Sequence, residues 1–162
     1  MILAAWLVGR FGGTVAGQAS ANPDLRIEMN GDTFINLGSV KPKLVGPKEL
    51  VIYLPGGKGA YSDYFLQRKA EGEEGWEPTY AHACFELFDK DARRFPREKW
   101  VLIAMGGSEV QSMVTPKGFV VSPGTYRVSL VYTTVDPATA KDVPCWMVSS
   151  PEFRLTAESR FE

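Results

Sequence analysis

The stretch Ser122-Pro-Gly-Thr-Tyr-Arg-Val-Ser-Leu-Val-Tyr132 decides the fold class of this 162-residue chain. After a Pro-Gly turn, large apolar side chains occupy every second position: Tyr126, Val128, Leu130 and Tyr132. Arg127 and Ser129 stand between them, and Thr133 continues their series. Alternation with a period of two is typical of a strand with one face in the core and one toward solvent. The stretch therefore predicts a half-buried antiparallel β-strand.

Other short segments along the chain also have the character of strands, whereas helical periodicity is nearly absent. We expect strands at 25–29, 33–37, 50–54, 83–88, 100–105, 109–114, 119–121, 126–134, 145–149 and 153–156. The Asn30-Gly31-Asp32 turn predicts a hairpin between the first two, and the continuous apolar run at 50–54 predicts a central strand buried on both faces. This pattern favours an all-β Greek-key sandwich over βαβ units.

The composition limits the classes of function. Hydrophobic residues make up 44% of the chain, enough for a core, and the net charge of −1 gives no basic footprint for nucleic acid. His82 is the only histidine, which removes any site that needs two imidazoles. We expect one domain at 22–157 and a frayed C-terminal tail at 158–162.

The N-terminal segment, residues 1–21, bears on the compartment. It begins with an apolar run at 1–8 that is too short to span a bilayer, and it ends in Ala19-Ser-Ala21, which resembles a signal-peptidase site. The segment therefore predicts a signal peptide. No basic residue precedes the run and Arg10 follows it, so the alternative is an N-terminal extension, either a flexible leader or a first strand docked on the domain. We expect an exported protein without a transmembrane segment; a cytoplasmic location is the alternative.

Cys84 and Cys145 are the only two cysteines, and each lies in an apolar, strand-like stretch. Two interpretations are open: two buried free thiols, or a disulfide that joins two strands. Export favours the disulfide, because such bonds persist in oxidising compartments.

The segment 55–80 is the longest without a strand pattern, and we expect an insertion loop there that holds a short capped helix at 62–70. Five rings fall within it: Tyr61, Tyr64, Phe65, Trp76 and Tyr80. Connections this long are often functional, and aromatic residues supply much of the binding energy at interfaces. The rings are therefore candidates for a partner-binding surface; the alternative is a satellite core that covers one end of the domain.

Residues 100–156 resemble the C-terminal half of bacterial immunoglobulin-like domains. The resemblance rests on the Gly106-Gly-Ser-Glu109 turn, on the segment 119–128, on Trp146 and on the Ser149-Ser-Pro151 step into the last strand. It implies that Tyr126 acts as the tyrosine corner of that fold. Where antibody domains have a core cysteine two residues later, this chain has Val128, so a Cys84–Cys145 bond would be a different bridge. The resemblance implies a fold and no particular function.

No constellation in the sequence predicts catalysis, a cofactor site or a metal site. The Gly56-Gly-Lys-Gly59 stretch lacks the Ser or Thr of a P-loop, and the Asp89-Lys-Asp91 pair lacks the further acids of a calcium loop. His82 and Cys84 lie two apart on one predicted strand with no third group.

We therefore expect a non-catalytic accessory subunit of an envelope or extracellular assembly. Its partner would be another protein or further copies of its own chain, and nucleic acid is not expected. The alternatives are a carbohydrate-binding module, with the same rings stacked on sugars, and a secreted proteinase inhibitor with Pro116-Lys-Gly118 as its reactive segment.

Overall fold

The computed structural model describes residues 24–56, 65–69, 72, 75–77, 88, 91–100, 120–141 and 143–160. Within these ranges the chain forms twelve short strands and two 3-10 turns but no α-helix, which confirms the all-β class. The strands are β1 (Arg26–Glu28), β2 (Thr33–Phe34), β3 (Lys43–Val45), β4 (Tyr53–Leu54), β5 (Phe65–Lys69), β6 (Trp76–Glu77), β7 (Arg93–Arg94), β8 (Val120–Val121), β9 (Gly124–Tyr132), β10 (Trp146–Ser149), β11 (Phe153–Leu155) and β12 (Ser159–Arg160). The 3-10 turns are Leu37–Ser39 and Arg97–Trp100. No helix in the described part of the chain is long and apolar enough to cross a membrane.

The predicted strand after the Pro-Gly turn is β9, and it lies at the centre of the largest sheet. That sheet has six strands in the order β2-β11-β9-β5-β6, and β10 also pairs with β9. Ser129 pairs with Phe65 of β5 and with Ser149 of β10, so β10 lies on the same edge of β9 as β11. β10 and β11 are therefore two segments of one antiparallel partner, interrupted at Ser150.

The main core lies on one face of this sheet, and the alternation of β9 accounts for it. Tyr126, Val128, Leu130 and Tyr132 are all buried in one cluster. The cluster also includes Ile27 of β1, Leu44 of β3 and Leu54 of β4, so the small β1–β3 and β4–β7 sheets contribute to the same core.

The prediction that β9 is half-buried is wrong for its second half. Ser129, Val131 and Thr133 are also buried, although they point away from the main core. Val131 packs with Phe88 and Val143 in a second, smaller cluster on that face. The second half of β9 has strands on both edges and packed side chains on both faces, so neither face is exposed to solvent.

The predicted hairpin at Asn30-Gly31-Asp32 does not form. β1 pairs with β3 instead, and β2 pairs in parallel with β11. The Asn30 amide donates to the Ser39 carbonyl at 2.9 Å, and its oxygen accepts from the Lys41 N–H at 2.8 Å. Asn30 thus closes the connection to β3, an alternative use of the short polar side chain that favours turns.

The expected helix at 62–70 is wrong over Phe65–Lys69, which is strand β5, and the expected insertion loop contributes two strands to the main sheet. β5 pairs with β9 on one side and with β6 on the other. The local capping signal favours a helix, but pairing with β9 favours a strand, and this pairing places the buried Gln67 against β9. Residues 62–64 lie outside the described residues.

Four smaller expectations also change. At 50–54 only Tyr53–Leu54 is a strand, and burial alternates there because Ile52 and Leu54 face the core while Tyr53 is half-buried. Trp100 ends a 3-10 turn instead of starting a strand, and Arg93–Arg94, where no strand is expected, forms β7.

Within the tail that was expected to fray, Ser159–Arg160 is docked, because β12 pairs with β8 and the Ser159 hydroxyl accepts from the Leu37 N–H at 2.9 Å. The expected strands at 83–87, 101–105 and 109–114 and the leader at 1–21 lie outside the described residues.

Candidate functional site on the outer face of the main sheet

The face of the six-stranded sheet that points away from the main core carries a cluster of polar, cationic and aromatic side chains. Paired residues on neighbouring strands share a face, and the register pairs Gln67 with Arg127 and Lys69 with Trp76. Arg127 precedes Ser129 by two positions on β9, so all of these residues lie on one side. We call this surface the outer face.

Trp76 lies at the edge of the sheet, half-buried beneath two cations. The Arg127 guanidinium carbon is 4.4 Å from the centroid of the indole ring, and the Lys69 ammonium nitrogen is 5.8 Å from it. Cations at these distances are attracted by the negative face of the ring. Three neighbouring strands, β5, β6 and β9, thus hold one aromatic side chain in a fixed place.

A buried polar network fixes the orientation of Arg127. Its Nε donates to Gln67 Oε1 at 2.8 Å, and the Ser129 hydroxyl donates to the same oxygen at 2.8 Å. Ser129 and Ser149 share a further hydrogen bond between hydroxyl oxygens at 2.7 Å. Gln67 is 2% exposed and Ser129 is 0% exposed. Because these partners are buried and hydrogen-bonded, the guanidinium is presented in one geometry.

The charge of Arg127 is only partly compensated. Burial lowers the pKa of Arg127 below its ordinary value, and the Glu152 carboxylate acts in the opposite direction. That carboxylate binds the Lys69 ammonium, with oxygens at 2.9 and 3.2 Å. Among the described residues, no carboxylate lies within ion-pair distance of Arg127.

Tyr126 anchors the start of β9 from the opposite, core-facing side. Its hydroxyl donates to the Ser122 carbonyl at 2.7 Å, which joins the strand to the Pro-Gly turn before it. Burial raises the pKa of Tyr126, and the nearby Arg68 opposes that rise. The ring also packs against Phe153, with centroids 6.2 Å apart. This contact sets the position of β9 and therefore of Arg127 next to it.

Of the five rings predicted to bind a partner, Trp76 lies in this cluster. The backbone of Phe65 lies in β5 and pairs with Ser129. Tyr61, Tyr64 and Tyr80 lie outside the described residues.

Sequence reasoning missed Gln67, Lys69 and Arg127 as members of the site. The alternation after the Pro-Gly turn puts Arg127 on the outward face, but the pairing of β5 with β9 is needed to bring the rest beside it.

Cys145 is disulfide-bonded. Cys84, the only other cysteine of the sequence, lies outside the described residues, so the Cys84–Cys145 pairing stays a prediction. His82 and the candidate reactive segment at 116–118 also lie outside them. Within the described ranges, no group of three or more His, Cys, Asp or Glu side chains is placed to hold a metal ion.

Comparison with known proteins gives no relative from which to transfer a function: no family model matches the sequence, and no similar curated protein or solved structure was found. The function is therefore argued from the outer face itself.

Proposed function

We propose that this chain is a non-catalytic immunoglobulin-like domain that binds a protein partner through the outer face around Trp76. The observation that carries the proposal is the half-buried indole ring held beneath Arg127 and beside Lys69. Tryptophan and arginine are the residue types enriched among the anchors of protein interfaces. A site on paired strands also presents these anchors without a cost for ordering a loop.

Two features support the immunoglobulin-like part of the proposal. The order β5, β9 and then β10 with β11 corresponds to strands C, F and G of that fold, with the penultimate long strand in the middle. The bond from the Tyr126 hydroxyl to the Ser122 carbonyl is the contact expected of a tyrosine corner.

The disulfide at Cys145 supports an exported accessory subunit, because disulfides persist in oxidising compartments such as the periplasm or the cell exterior. The Ala19-Ser-Ala21 motif agrees with the same location. Peptide mapping under non-reducing conditions tests the pairing. A peptide that links Cys84 to Cys145 is expected in protein from the native host, and a free thiol at Cys84 would remove this support for export.

A protein partner is favoured over a glycan because Arg127 already covers one face of the Trp76 ring at 4.4 Å. That leaves at most the opposite face of the ring for a stacked sugar. The inhibitor alternative rests on the segment at 116–118 alone, and a failure to slow a panel of serine proteases would end it.

The test is affinity capture of the tagged chain from its native host, with mass spectrometry of the proteins that co-purify. Trp76→Ala should abolish a stoichiometric partner, whereas Ile35→Ala should retain it. Ile35 is a matched apolar control, since it is 69% exposed and follows β2 at the opposite edge of the same sheet.

Stability separates the two roles that Trp76 can have. The lost cation–π contacts should cost about 1–2 kcal/mol of unfolding free energy. A loss of more than about 3 kcal/mol would make Trp76 a core residue. Capture of the same partner by Trp76→Ala would overturn the proposed site.

A further inference from the structure

Among the described residues, the guanidinium of Arg127 is bonded through one end only. Nε is hydrogen-bonded to Gln67, and the plane of the group lies over the Trp76 ring. Within the described residues, the bond through Nε is the only hydrogen bond of this side chain. The two terminal nitrogens, Nη1 and Nη2, therefore keep donors that the described side chains do not use.

The described residues leave a net positive charge around Arg127, so this surface should attract an anion. Among the described residues, three cations lie on the outer face: Arg127, Lys69 of β5, and Arg154, which pairs with Thr125 two positions before Arg127. The Glu152 carboxylate offsets part of this positive charge, and it binds Lys69. A half-buried guanidinium has lost part of its hydration, and a carboxylate is the group that compensates it best.

We infer that Arg127 is the anchor for a carboxylate of the partner, so that the outer face binds an acidic peptide segment. This inference rests on the proposed function. The planar donors of arginine match the two oxygens of a carboxylate, and the stacked, hydrogen-bonded side chain loses little freedom on binding. The partner's carboxylate can come from Asp or Glu side chains or from a free C-terminus, which share this chemistry.

A library of displayed random peptides with free C-termini is selected for binding to the full chain. The selected peptides are then synthesised, and their affinity is measured by calorimetry. Selected peptides should be rich in Asp and Glu or should depend on the free C-terminus. Arg127→Gln should weaken them by at least about tenfold, since a charged hydrogen-bonded pair is lost. The matched control is Arg154→Gln, which removes the same charge from an exposed position on the same face and should weaken binding less than about fivefold.

Changes on the peptide identify the source of the carboxylate. Replacing Glu with Gln should abolish binding if side chains supply it, and C-terminal amidation should abolish binding if the terminus does. Because these changes leave the protein intact, they decide the question even if Arg127→Gln fails to fold; Arg127→Lys, which keeps the charge but not the planar donors, should bind with intermediate affinity.

The outcomes distinguish this inference from the proposed function. Peptides that require Trp76 but bind Arg127→Gln normally, or that carry no essential carboxylate, overturn the inference and leave the protein-binding site standing. Equal losses in Arg127→Gln and Arg154→Gln would indicate general attraction by a positive surface and would also overturn it. A selection in which no peptide depends on Trp76 overturns both.

Discussion

Tyr126→Phe is the sharpest test of how β9 is held in place. The change removes one oxygen and keeps the ring, which is 4% exposed and packs against Phe153. The lost bond to the Ser122 carbonyl is 2.7 Å long. Ser122 is exposed, so its carbonyl can be hydrated by water in the variant. The cost is then that of one net hydrogen bond, about 1 kcal/mol.

For a chain of this size, that loss should lower the midpoint of thermal unfolding by about 2–4 °C. Tyr53→Phe is the control, because Tyr53 is half-buried and its hydroxyl makes no hydrogen bond within the described residues. It should change the midpoint by less than about 1 °C. Calorimetry and urea titration measure both variants. Equal effects in Tyr126→Phe and Tyr53→Phe would refute the reasoning that the Tyr126 bond stabilises the start of β9.

The same hydroxyl predicts a pH dependence. Burial raises the pKa of Tyr126 in the folded state above the ordinary value of 10.0, so the unfolded chain loses this proton first as pH rises. The contribution of Tyr126 is therefore complete below pH 10.0 and is lost as pH rises through the folded-state pKa. The difference in unfolding free energy between wild type and Tyr126→Phe should shrink above that pH. A difference that stays constant or grows would contradict the raised pKa.

Three further substitutions test a close backbone approach at Gly56 and the buried polar network of the outer face. Gly56→Ala should destabilise by about 1–3 kcal/mol, because a Cβ there would overlap the backbone of Asp91, whereas Gly75→Ala should be neutral, since nothing lies within 4 Å of its added carbon. Denaturant titration compares the two, and a neutral Gly56→Ala would refute the close approach. Gln67→Ala should cost about 1–3 kcal/mol because Arg127 and Ser129 both lose their buried acceptor. A neutral Gln67→Ala in the same titration would mean that the network adds no stability.

The strands around the Pro-Gly turn could be predicted because their alternation is strong and local. β10 and β11 fall within the segments that the sequence predicts, and β9 begins and ends two residues earlier than expected, with its apolar positions in the core as predicted. Such a period reports which side of one strand is buried. It does not report what covers the other side, which is why the burial of Ser129 and Val131 was missed.

Local sequence patterns did not predict which strands pair with each other. The Asn30-Gly31 signal predicts a hairpin, yet β2 pairs in parallel with β11, more than a hundred residues along the chain. β5 has no alternation that separates it from a short helix, and its strand conformation follows from β9 on one side and β6 on the other. Contacts of this kind are set by the whole sheet, so a window of sequence does not contain them.

The sequence predicted one residue of the candidate site, Trp76, and missed the others because their arrangement depends on strand pairing. Trp76 stands out by its type in a segment rich in aromatics, and it does lie on the outer face. Lys69, Gln67 and Arg127 are ordinary surface residue types, and their arrangement follows only from the register of β5 against β9.

The register that builds the core also builds the site, and this links the stability of the domain to its binding surface. Because side chains alternate, a slip of one residue in β9 would expose Tyr126 and turn Arg127 into the core. The bond from Tyr126 to Ser122 and the pairing with β5 both oppose such a slip. Arg127 is thus oriented by Gln67 and positioned by the same strand that carries the core residues on its other face. A binding surface built this way is set before the partner arrives, so its affinity should depend on the partner's chemistry and not on a rearrangement of this domain.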